Sequence, residues 1–148
     1  MICVSPDYRA PTSWLGPAAE ADMVQLIDEL HRGQRVGRIL LLGGSMGGTS
    51  ALAFAAQHPQ LIDGVVALNG TANMLEYEQF QEAIQASYGG TKDTHRDVYR
   101  TRSAELFAAN LTMPLAATRS RICCGRVVKG SAMGAGSSAH SSLPSGSS

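Results

Sequence analysis

The chain has 148 residues, 44% of them apolar and only 5% aromatic, with 12 Lys plus Arg against 12 Asp plus Glu. That suits one modest domain with an aliphatic core, and the balanced charge gives no footprint for nucleic acid or an acidic partner. Three cysteines make no disulfide framework, and no apolar run approaches the length of a membrane span.

Residues 1–6, MICVSP, read as a buried strand, and PDYRAPTSWLGP after it reads as a loop. This start lacks the long apolar region of a signal peptide, so a reducing cytoplasm is the expected compartment. Next, AAEADMVQLIDELHRG carries Met23, Leu26, Ile27 and Leu30 at i, i+3, i+4, i+7, an amphipathic helix with Gly33 as its stop. RILLL, residues 38–42, is short and continuously apolar, a fully buried strand. A small-residue helix is expected over 47–58, ending at His58-Pro59, and GVVALNG from Gly64 reads as another buried strand. Glu76 to Tyr88 reads as a helix with Phe80 and Ile84 inward, and 94–109 as one more. TMPLAAT, residues 112–118, is a strand whose Pro114 argues for an edge or early position. Strands alternating with amphipathic helices give an α/β domain with a mostly parallel sheet over 1–118.

Residues 119–148 have another character. Every Asp and Glu lies at or before Glu105, so residues 1–118 hold 8 basic and 12 acidic side chains, net −4. The last 30 residues hold Arg119, Arg121, Arg126 and Lys129, no acid, nine Ser and five Gly, a low-complexity stretch expected to be disordered. The abrupt change after Thr118 suggests an altered reading frame or a chimeric end.

GGSMGG, residues 43–48, stands between RILLL and the small-residue helix. As a phosphate loop it fails at Thr49, which takes the place of the lysine, and as a dinucleotide fingerprint it fails at Ser45. Two readings stay open: a tight strand-to-helix turn that needs small residues, or a nucleophile elbow. For an elbow, G-x-S-x-G is Gly43-Gly44-Ser45-Met46-Gly47. A sharp turn would project the Ser45 Oγ, and the glycines two before and two after it would avoid collisions. The Met46 N–H would face a developing anion at the helix N-terminus.

With these motifs the chain resembles the α/β-hydrolase superfamily over residues 1–118. SPDYRAPTSW resembles the loop after the strand two steps before the nucleophile, LLLGGSMGGTSALAFAAQHP the nucleophile strand, elbow and helix, and LIDGVVALNG the next strand. Residues 76–109 sit where the family inserts a cap, and TMPLAAT resembles the strand after it. GGSMGG with its extra Gly48 is similar to the esterase, acyl-peptidase and prolyl-oligopeptidase-like branches. The resemblance implies a serine hydrolase acting on a small-molecule or peptide acyl substrate, an ester, thioester or amide. Its acyl-enzyme would form on Ser45, with the Met46 N–H as oxyanion donor and no metal or organic cofactor.

The remaining machinery departs from the family pattern. Where a G-x-x-D loop would bear the acid, TMPLAAT leads into RSRICCG, and no acid follows Glu105. Glu76 is the nearest substitute, after the strand GVVALNG. His140 is the one histidine beyond the cap and so the candidate base. The second oxyanion donor would lie upstream of Met1, so the chain reads as the middle of a hydrolase with both ends cut. Two functions follow: a serine hydrolase impaired by truncation, or an inactive remnant acting as a binding or interaction module. Open sheet edges on both sides predict self-association.

Other residues take plainer readings. His31 and His58 provide favourable charge at helix C-termini, and His95 is a surface residue. Asp7 and Arg9 form an exposed ion pair, Trp14 packs at the pocket rim, and Met23 and Met46 are packing side chains. Cys123-Cys124 has no metal partner at useful spacing.

Overall fold

A computed structural model describes residues 2–7, 10 and 12–118. Arg9, His140, Cys123, Cys124 and the basic residues after Thr118 lie outside the described residues. The elements run α1 (Pro17–Gly33), β1 (Leu40–Gly44), α2 (Met46–Gln57), β2 (Gly64–Leu68), α3 (Gln81–Tyr88), α4 (Arg96–Thr101) and β3 (Leu115–Thr118). Short 3₁₀ helices occupy Pro59–Leu61 and Ala104–Asn110. The sheet is parallel, in the order β1-β2-β3, with Leu41 opposite Val65 and Val65 opposite Leu115. A partial α/β fold of parallel strands flanked by helices is therefore what forms.

α2 is the centre of the core. Its sequence, MGGTSALAFAAQ, carries no charge and is buried continuously from Gly48 to Ala56. Such a helix is stable only when enclosed on all sides. β1 and β2, the 3₁₀ helix Ala104–Asn110 and Ile27 of α1 enclose it. A second cluster, Trp14, Met74, Ile84, Tyr88 and Tyr99, joins the loop before α1 to the helices inserted between β2 and β3.

Several expected features are corrected. Residues 2–7 form no strand and are mostly exposed. A strand exists only where a neighbour receives its hydrogen bonds, and no described strand lies beside them. β1 begins at Leu40, two residues later than expected, and is not fully buried: Leu40 and Leu42 are 67% and 75% exposed. Side chains alternate along a strand, so Leu41 faces the helices while Leu40, Leu42, Val66 and Leu68 share the open face. α3 starts at Gln81, so Ile84 is buried but Phe80, expected inward, is 62% exposed at the helix start. The helix expected over 94–109 is broken at Arg102–Ser103. Ser103 is buried and turns its hydroxyl inward, accepting from the Met74 N–H at 2.9 Å and donating to the Tyr99 carbonyl at 2.8 Å.

The Tyr88 hydroxyl donates to the Trp14 carbonyl at 2.9 Å, and its ring meets Tyr99 edge-on at 4.8 Å. Burial pushes the Tyr88 phenol well above the ordinary tyrosine range, with Arg102 opposing. An unfolded tyrosine loses its proton near pH 10 while folded Tyr88 keeps it. This contribution to stability is intact below pH 10 and falls above it, at up to about 1.4 kcal/mol per pH unit. Urea midpoints between pH 9 and 11 should drop above pH 10, more steeply in the wild type than in Tyr88→Phe; equal slopes would contradict the assignment.

Candidate functional site

β1 ends at Gly44 and α2 begins at Met46, so one residue makes the turn between strand and helix. That residue is Ser45, at φ 53° and ψ −117°, and it is exposed. A β-carbon at such a φ is crowded, and non-glycine residues held there cost about 1–3 kcal/mol. Two backbone bonds hold it. The Ser45 N–H donates to the Leu68 carbonyl at 2.7 Å, continuing the sheet by one residue, and the Ser45 carbonyl accepts from the Thr49 N–H at 3.0 Å. The serine therefore stands at the carboxyl end of a parallel sheet, where α/β folds carry their sites.

The turn is tight because backbones touch. A Cβ on Gly43 would overlap the Gly47 carbonyl. One on Gly48 would sit 3.0 Å from the Leu68 oxygen, and one on Gly70 would sit 2.6 Å from the Gly48 carbonyl carbon. The expected requirement for Gly47 is corrected: a Cβ there meets nothing within 4 Å, because Gly47 lends its carbonyl to the contact. Gly43→Ala should destabilise by about 1–3 kcal/mol through overpacking. Gly47→Ala, inside a helix, should be neutral or gain up to about 1 kcal/mol. Urea unfolding of both variants checks the order, and Gly47→Ala proving the costlier would contradict this geometry.

The first N–H groups of α2, from Met46 to Gly48, have no acceptor within the helix and carry its positive end. Thr49 fastens this turn to the loop after β2: it is buried, and its hydroxyl accepts from the Thr71 N–H at 2.9 Å. The position that would be the phosphate-loop lysine is thus an internal tie. The loop continues through Asn73, whose side-chain oxygen accepts from the Leu75 and Glu76 N–H groups at 3.1 and 3.3 Å. Glu76 itself is exposed.

Among the described residues no histidine or carboxylate is hydrogen-bonded to the Ser45 hydroxyl. His58 caps the far end of α2, which at 12 residues spans about 18 Å, and binds Glu20 at 2.8 Å. His31 is exposed in the last turn of α1. His95 is exposed at the start of α4, its Nδ1 against the Thr94 hydroxyl at 2.9 Å. Glu76 is not drawn to the serine, and His140 lies outside the described residues. The described residues contain no cluster of His, Cys, Asp and Glu able to hold a metal ion, and none of their helices is long and apolar enough to cross a membrane.

One group is absent from the sequence reading. Arg102, 4% exposed, donates to the Leu15 carbonyl and Glu20, both at 2.5 Å, and to Gln57 at 2.7 Å. Glu20 in turn holds His58. This buried fork ties α4 to the start of α1 and the end of α2. Its members lie as far as 87 residues apart, so no local pattern marks them.

Residues 6–122 match the model of the alpha/beta hydrolase fold family. No curated protein matches the chain.

Proposed function

Because the chain belongs to the alpha/beta hydrolase fold family, we propose that Ser45 is its nucleophile, cleaving an ester, thioester or amide through an acyl-enzyme. The observation that carries the proposal is the backbone of Ser45: an exposed serine at φ 53° between a parallel strand and the helix it opens. Strain of this kind persists where surrounding structure enforces it, and it presents the hydroxyl to a ligand. The Ser45 Oγ would attack the acyl carbon while the Met46 N–H holds the developing oxyanion. The alcohol, thiol or amine leaves with a proton, and water then releases the acid and restores the serine. No metal or organic cofactor enters these steps. The glycine-rich GGSMGG turn supports a place among the esterase, acyl-peptidase and prolyl-oligopeptidase-like branches.

The Ser45 proton needs an acceptor. No described imidazole is hydrogen-bonded to the hydroxyl and the candidate base His140 lies outside the described residues; where solvent alone takes the proton, the reaction is impaired. Roughly 10³–10⁴-fold acceleration over water survives in a serine hydrolase stripped of its triad. That same observation favours a second reading, an inactive member whose α/β core serves as a binding or interaction module. Among the described residues β1 and β3 each have one unpaired edge, and Leu40 and Leu42 are exposed on β1, which supports self-association in either case. The test is phosphonylation of the folded protein by a fluorophosphonate, with Ser45→Ala as control.

A further inference from the structure

Two aromatic rings gather around Trp14. Trp14 lies 5.7 Å from Tyr77 and 5.9 Å from Phe80, centroid to centroid, tilted by 46° and 33°. Met46, next to Ser45 in sequence, packs against the same cluster as Trp14 and Tyr77. The cluster that holds Trp14 is therefore in contact with the residue that follows the serine.

Two features set it apart from ordinary core. Trp14 is 5% exposed, yet its indole N–H has no hydrogen-bond partner among the described residues. A buried donor left unpaired is costly, and buried tryptophans usually find an acceptor. Phe80 is the reverse: a large apolar ring mostly in solvent, held at φ 53°. Both Trp14 and Leu15 also have positive φ, 42° and 54°. Strained non-glycine residues thus flank the indole from two loops, the pattern expected at a ligand clamp.

We infer that Trp14, Tyr77 and Phe80 bind a flat aromatic group of the substrate, with the indole N–H donating to a carbonyl beside that ring and Phe80 as the wall that moves aside. This deepens the reading of Ser45 as nucleophile: the substrate class becomes aryl or arylacyl esters, thioesters and amides. An aromatic ring entering the group gains offset or edge contacts that a saturated ring of the same size cannot make. The carbonyl satisfies a donor that is otherwise orphaned, so the two recognition elements reward different parts of one ligand.

Trp14 is the sole tryptophan of the chain, so its emission reports the site directly. Benzamide and cyclohexanecarboxamide match in size and carbonyl but differ in the ring. Titrated into the whole protein, benzamide should change Trp14 emission saturably, with a Kd at least about fivefold below that of cyclohexanecarboxamide. Phe80→Ala and Phe80→Leu, checked for folding by circular dichroism, should each weaken benzamide roughly fivefold. Equal affinity for the two amides, no saturable change, or unaltered benzamide binding by both Phe80 variants would overturn the inference. Ring-selective binding in a protein whose Ser45 resists phosphonylation would uphold the aromatic site and strike only the nucleophile.

Discussion

Arg102→Ala should cost about 3–5 kcal/mol of stability, the largest loss expected from any single exposed-or-buried charge in this fold. The guanidinium is buried and satisfied from three directions: the Leu15 carbonyl, Gln57 and Glu20. Removing it leaves a half-buried carboxylate on Glu20 facing only His58, and a carbonyl and an amide oxygen without donors. Domains of this size have about 5–15 kcal/mol in all, so the variant should unfold at markedly lower urea. Arg102→Lys should recover only part of the loss, because an ammonium cannot present the planar fork that reaches all three acceptors. Adding Glu20→Gln to Arg102→Ala should restore some stability by discharging the orphaned carboxylate. Urea unfolding of the four proteins checks this, and a loss below about 1 kcal/mol for Arg102→Ala would show the network to be ornamental.

Ser45→Gly should act in the opposite direction. At φ 53° and ψ −117° the serine β-carbon is crowded, and glycine is not. The substitution should stabilise the fold by about 1–3 kcal/mol while removing the hydroxyl. Ser45→Ala keeps the β-carbon and should leave stability nearly unchanged. A glycine variant no more stable than the alanine variant would mean that the turn stores no strain at this position.

The tight turn from β1 into α2 was legible in the sequence because everything that builds it is local. An apolar strand, a cluster of glycines and a small-residue helix occupy residues 38–58, and the helix and the exposed serine follow from them. The parallel pairing of β1, β2 and β3 follows equally from alternation with helices, and β3, which Pro114 precedes, is an outer strand of the described sheet. What stayed hidden depends on partners distant in sequence. A continuous run such as RILLL cannot reveal whether one face or two will be covered, and only Leu41 of the three leucines turns toward the helices. MICVSP is apolar enough for a strand, but pairing is a property of two segments. Phe80 and Ile84 are four residues apart and share a face only if both are helical, whereas α3 begins after Phe80. Gly47 matches the motif by type, yet the steric demand falls on Gly43, Gly48 and Gly70. The Arg102–Glu20 pair joins residues 82 apart, beyond any periodicity.

Covalent labelling measures directly whether Ser45 is a reactive nucleophile. The purified, folded protein is incubated with a fluorophosphonate and the modified peptide is identified by mass spectrometry. Phosphonylation should be slow, confined to Ser45 and abolished by Ser45→Ala. A folded protein that takes no label, or one whose labelling persists in Ser45→Ala, would contradict that role for Ser45.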